Sequence, residues 1–210
     1  MRRLLNDEKD ERYRYLLRHG NVHHVEAETL TLYVELPQIP NILIVYRRPA
    51  ERDCNVEKMN IDSRALKHIP LLEGEERIKY LNLQNNDIAK IENLVSLPGL
   101  NFLDISSNKI KEIGNLSTVE NLRVLVMSKN QLEGIRSIDH LKSLDMLDLH
   151  DNKITQISNL STLSNLRVLN LSNNLIETLE GLGSLKNLVE LNLRMNRVQQ
   201  AKDTQGMSAL

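Results

Sequence analysis

The sequence predicts an α/β solenoid, in which short parallel strands line a concave sheet and helical or 3₁₀ returns run back along the convex side. Three observations carry this expectation. An asparagine recurs every 22 residues, at Asn86, Asn108, Asn130, Asn152, Asn174 and Asn196. Apolar residues keep one register around each of them. Aromatic residues make up only 3% of the 210-residue chain and tryptophan is absent, so leucine and isoleucine must do the packing.

Residues 1–50 read as a charged helix followed by a β-hairpin extension. Positions 2–18 are dense in charge of both signs, with Leu4, Leu5, Tyr13, Leu16 and Leu17 as the apolar minority. That composition predicts a solvated helix with frayed ends, which Gly20 is suited to stop. Leu30, Leu32, Val34 and Leu36 then alternate with other residues, and Ile42–Tyr46 follows Pro37-Gln38-Ile39-Pro40. Two strands joined by a proline-containing loop fit this pattern, placed to cover the N-terminal edge of the solenoid. His19, His23, His24 and Glu26 lie close together without a thiolate, and are expected to be solvated rather than metal-bound.

Residues 51–77 read as an N-terminal capping repeat. Val56, Met59, Ile61, Leu66, Ile69 and Leu72 hold the apolar places of a coil, while Arg64 replaces the asparagine. Glu75 occupies an apolar slot, as expected of a cap that faces solvent.

Residues 78–210 contain six 22-residue repeats, the last one degenerate. Before each asparagine the pattern L-x-x-L-x-L alternates with period two around Leu81, Leu103, Leu125, Leu147, Leu169 and Leu191, which predicts a short strand with its leucines facing inward. The asparagine amide is placed to pair backbone groups of neighbouring coils that would otherwise be buried without partners. After it, apolar residues such as Ile88, Ile91, Leu94 and Leu97 fall three apart, a spacing suited to a helical or 3₁₀ return. In the final coil the return decays to Ala201, Thr204 and Met207, and Leu210 falls where another repeat would begin. An uncapped terminal strand is an open edge, to be met by further sequence or by a partner.

Strand alternation also maps the concave surface. One outward column reads Tyr80, Phe102, Val124, Met146, Val168, Glu190, apolar at five of its six positions. The next reads Asn82, Asp104, Val126, Asp148, Asn170, Asn192, and the one after includes His150 and Arg194. An apolar lane beside a polar one marks a protein-binding surface. Tyr80, Phe102, Val124, Val126, Met146 and Val168 are its expected anchors. Asp104, Asp148, His150 and Arg194 are expected to orient the partner. Ser128, His150 and Asp148 also invite a hydrolase reading. Asp148 and His150 share a strand with side chains expected to run parallel, and no strained nucleophile turn or oxyanion hole is evident, so no enzyme is expected.

The rest is exclusion. A net charge of −1 argues against nucleic acid as the partner, and no glycine-rich phosphate loop occurs. The single cysteine, Cys54, rules out an intrachain disulfide framework and fits a reducing compartment. The start turns acidic at Asp7-Glu8 before a secretory apolar run develops, and Ile42–Tyr46 is far below the roughly 20 residues that span a bilayer. A cytoplasmic protein with no cofactor, metal, small-molecule substrate or membrane partner is expected. The sequons at Asn115, Asn159 and Asn170 follow from the repeat itself.

The 22-residue unit with an isoleucine-rich second half, over residues 56–198, resembles the intracellular subclass of leucine-rich-repeat proteins found in a regulatory subunit of protein phosphatase 1, an axonemal dynein light chain and a spliceosomal subunit. Pro70–Glu75 leading into Leu81–Asn86, together with Lys142–Asn152 and Leu166–Leu171, is similar to the leucine-rich-repeat subunits of the tubulin polyglutamylase complex. That resemblance implies a non-catalytic scaffold at centriolar or ciliary microtubules, with tubulin-modifying or axonemal partners. The long C-terminal region of that family has no counterpart here, and residues 1–50 match nothing in it. The subclass alone implies, as an alternative, a regulatory subunit of a protein phosphatase.

Overall fold

The computed structural model describes residues 10–26, 31–54 and 57–199. The expectations placed on Leu4, Leu5, Leu30, Val56, Ala201, Thr204, Met207 and Leu210 lie outside the described residues.

The chain opens with helix α1 (Glu11–His19), followed by β1 (Asn21–Val25), β2 (Leu32–Glu35), β3 (Leu43–Tyr46) and helix α2 (Pro49–Cys54). The solenoid strands are β4 (Lys58–Asn60), β6 (Tyr80–Asn82), β7 (Phe102–Asp104), β8 (Val124–Val126), β9 (Met146–Asp148), β10 (Val168–Asn170) and β11 (Glu190–Asn192). Each begins 22 residues after the one before, and they form a single parallel sheet in sequence order. Registers such as Tyr80↔Phe102 and Phe102↔Val124 place equivalent residues side by side. The short strand β5 (Leu71–Leu72) leaves the capping coil and joins a second sheet, of order β1-β2-β3-β5.

The central leucine of each of the strands β6 to β10 is fully buried, in one core running from Tyr33 and Val45 through to Leu188. Burying a leucine side chain contributes about 1.5–3 kcal/mol, and no coil can bury its own without a neighbour. Stacking is therefore the fold.

Each ladder asparagine ties two coils together. Asn108 Nδ2 donates to Leu83 O of the preceding coil at 3.0 Å and to Ile105 O and Ser106 O of its own, while its Oδ1 accepts from Ile88 N at 2.9 Å. Asn86, Asn130, Asn152, Asn174 and Asn196 repeat the arrangement. The residue before each one, from Asn85 to Met195, has φ between 53° and 58°, and this left-handed step turns the chain off the strand.

The convex returns are not helices. Each holds isolated turns: Leu97 N donates to Leu94 O and Leu100 N to Leu97 O, three residues apart, without the consecutive bonds that a 3₁₀ helix needs. A left-handed residue seven positions after the ladder asparagine, as at Asn93, Asn115, Ser137, Asn159 and Gly181, stops a helix before it can start. At Gly181, with φ +91°, a Cβ would lie 2.5 Å from Ile157 O. Among the described residues the only helices precede the first full coil.

The N-terminal region corrects two further expectations. Helix α1 is solvated on one face only: Glu11, Tyr15, Arg18 and His19 are exposed, while Tyr13 and Leu16 are buried in a second core with Leu32, Val34, Leu36, Ile44 and Tyr46. Asp10 caps it by accepting from Tyr13 N at 2.9 Å, and Gly20 ends it where a Cβ would meet Val34. Glu75 does not face solvent either: it is 2% exposed and paired with Arg47. The cap is covered by the first sheet.

Candidate concave binding surface

Strand pairing brings Tyr80, Phe102, Val124, Met146 and Val168 into one transverse row on the concave sheet. All five are half-buried, because each shelters its lateral neighbour. The Tyr80 and Phe102 rings stack with centroids 4.3 Å apart and planes at 13°. The row is thus shallower than alternation alone implies, yet continuous. Its ends are charged. On β4, Lys58 Nζ lies 5.9 Å from the centre of the Tyr80 ring, and Glu190 begins β11.

The polar lane next to it has an internal task that sequence reasoning missed. Asn82 Oδ1 accepts from Gln84 N at 3.0 Å, Asp104 Oδ1 from Ser106 N at 2.9 Å and Asp148 Oδ1 from His150 N at 3.1 Å. Asn170 and Asn192 do the same for Ser172 N and Arg194 N. These side chains cap the strand ends, as aspartate and asparagine do in tight turns. Val126 is the exception, where a β-branched apolar side chain stands in the column that elsewhere supplies an acceptor. The apolar surface is widest there, where Phe102, Val124, Val126 and Met146 adjoin.

His150 is held by the same device. Its Nδ1 lies 2.8 Å from Asp148 Oδ1 and its Nε2 3.7 Å from Asp151 Oδ2. The Asp148 and His150 side chains therefore meet instead of running parallel. Ser128 is buried at 4% exposure, and among the described residues no hydrogen bond joins it to His150. Arg194 is exposed at the far end of the sheet.

A second amide ladder, also missed, runs along the convex side. Asn93 donates to Ile69 O, Asn115 to Ile91 O and Asn159 to Ile135 O, all within 2.7 Å. With Asn170 holding Ser172 N, all three sequon asparagines thus already hold backbone. Their signal was the recurrence of asparagine 22 residues apart. Among the described residues no group of three or more His, Cys, Asp or Glu side chains could hold a metal, and no helix is long and apolar enough to cross a membrane.

A family profile described as leucine rich repeats (two copies) matches residues 76–118, 120–162 and 164–204. An internalin from Listeria monocytogenes is similar in structure, with a TM-score of 0.65 and 28% identity over 72% of this chain and 45% of that one. A leucine-rich-repeat protein of Leptospira interrogans gives a TM-score of 0.65 at 24% identity, over 72% of this chain and 40% of that one. The functional domain of InlJ from Listeria monocytogenes, which includes a cysteine ladder, gives 0.52 at 19%, over 69% and 36%. The chain spans less than half the length of each of these structures. No curated protein matches it.

Proposed function

Since the chain belongs to the leucine-rich-repeat family, whose folds commonly serve as protein-interaction scaffolds, we propose that it is a non-catalytic scaffold that holds a partner on its concave face. The observation that carries this reading is the unbroken row from Tyr80 to Val168, widened at Val126 where the repeat's own capping residue has been given up. Strands spaced about 4.8 Å apart present one apolar side chain each. A helix laid across them presents one apolar residue per turn of about 5.4 Å, a close match over a row this short. The partner is an amphipathic helix. Its positive N-terminal end lies toward Glu190 and its negative C-terminal end toward Lys58, the orientation in which its dipole meets opposite charges.

The narrower identity rests on resemblance alone. Residues 70–86, 142–152 and 166–171 support a place beside the leucine-rich-repeat subunit of the tubulin polyglutamylase complex, with tubulin-modifying or axonemal partners in a cytoplasmic, ciliary setting. Resemblance to the 22-residue intracellular subclass supports, as the alternative, phosphatase regulation.

Capture from native extract tests all of this. Wild type and a Phe102→Asp/Met146→Asp variant are compared by mass spectrometry, with circular dichroism confirming that the variant is folded. Partners retained only by wild type support the concave site, and their identity decides between cytoskeletal proteins and a phosphatase. Identical partner lists sink it.

A further inference from the structure

A cleft of about 850 Å³ separates the N-terminal sheet from the capping coil, away from the concave row. A β-bulge shapes one wall. The β1–β2 pairing runs Val22↔Val34 and then His24↔Tyr33, which leaves His23 as the extra residue. Regular alternation would send one of two adjacent histidines to the opposite face of the sheet. Here His23 and His24 both line the cleft. Bulges re-aim side chains in this way beside functional sites.

The other wall belongs to the capping coil, with Arg64, Lys67 and His68, and Tyr33, Leu43 and Leu66 add apolar surface. The acidic groups in the lining and just outside it are each engaged. Glu35 accepts from Asn41 N at 2.9 Å and lies 3.3 Å from His23 Nε2. Glu26 accepts from Tyr33 Oη at 2.9 Å and pairs with Arg64, and Glu92 lies 2.8 Å from His68 Nδ1. Lys67, by contrast, has no ion pair and His24 no hydrogen bond among the described residues.

Counting Glu26 and Glu92, which hold Arg64 and His68 from outside the lining, the two fixed cations Arg64 and Lys67 stand against three carboxylates, and protonation of His23, His24 and His68 makes the cleft cationic. Histidine is the side chain that changes charge between about pH 5 and 8. We propose that this cleft binds an oxyanion, a carboxylate or phosphate carried on a compact organic body, between the paired histidines and Lys67, and that binding tightens as pH falls. Its volume suits such a ligand, since small-molecule sites occupy roughly 300–1,000 Å³.

The test uses the full chain and two probes that stay dianionic throughout, oxalate as the carboxylate and sulfate in place of a phosphoryl group, titrated calorimetrically at pH 5.8 and 7.5 in low salt. Wild type is expected to bind at least one probe about tenfold more tightly at the lower pH, the size of a change of about 1.4 kcal/mol. Preference for oxalate assigns the ligand to carboxylates, and preference for sulfate to phosphoryl compounds. A Lys67→Gln/His24→Gln variant, altered at two exposed positions, should lose the binding with its melting temperature unchanged. His19→Gln, outside the cleft, should keep it. No binding of either probe at pH 5.8, equal affinity at both pH values, or undiminished binding by the double variant overturns the proposal.

Discussion

Arg47 and Glu75 meet in a two-point ion pair between residues 28 apart in sequence, with Arg47 Nε donating to Glu75 Oε1 at 2.8 Å and Nη2 donating to Oε2. Arg52 Nε stands 3.5 Å from the same carboxylate. Glu75 lies in the capping coil and Arg47 at the end of β3, so this pair fastens the first sheet to the solenoid. Removing one partner of a buried pair typically costs about 3–5 kcal/mol, because the other charge is left buried and alone. Glu75→Ala is expected to lose stability in that range in urea unfolding. A loss below about 1 kcal/mol would mean that water reaches Arg47 and that the seam is held by apolar contacts alone.

Asn130 is expected to matter more than its size suggests. Its amide donates to Ile105 O, Met127 O and Ser128 O and accepts from Ile110 N. Each buried group left unpaired costs about 1–3 kcal/mol. Asn130→Ala should therefore destabilise by at least about 2 kcal/mol, and amide exchange should rise first in its own coil and the adjoining ones, since coils contact only their neighbours. Uniform loss of protection from β4 to β11 would contradict that locality.

Val126 separates structure from binding. Val126→Asn restores the acceptor that the other coils supply to the backbone two residues on, as Asp104 does for Ser106 N. The variant is expected to be as stable as wild type or about 0.5–1 kcal/mol more stable, the worth of one hydrogen bond, while partner capture weakens. If the substitution leaves capture untouched, the apolar lane at this coil is not in contact with the partner.

Alkaline pH should loosen the N-terminal sheet. Burial, helped by the hydrogen bond to Asp10, pushes the Tyr46 phenol up to about 12, and burial beside Glu26 raises Tyr33 further. Both groups lie above the ordinary phenol value near 10. The stability they lend is complete below about pH 10 and is lost as pH rises through the folded-state values. The melting temperature should fall steeply between pH 10 and 12, with phenolate absorbance lagging for these two side chains. Full ionisation of all five tyrosines by pH 10.5, with the protein still folded, would refute this.

Much of this architecture was legible because one coil's sequence is written repeatedly. The asparagine column and the alternating leucines place the sheet, its register and the inward face without any structure. The returns were misread because apolar residues three apart, such as Leu94 and Leu97, suit isolated turns as well as a helix. The left-handed residue that decides between them is asparagine at Asn93, Asn115 and Asn159, but Ser137 and Gly181 break the column, so its period is weaker than that of the ladder asparagines. The polar lane was ambiguous for a similar reason, since an aspartate such as Asp104 reads alike whether it faces a partner or its own backbone. Glu75 and the paired histidines depend on one-off contacts with residues far away in sequence, and no period could expose them.

The in-register stacking of equivalent residues also makes the concave face a ruler. Contact length along it is available only in whole strands, so a partner gains or loses grip in discrete steps. The sheet packed over the capping coil fixes where counting starts, with Lys58 as the first mark. Duplicating any internal 22-residue coil would lengthen the scale by one division and leave every earlier mark in place.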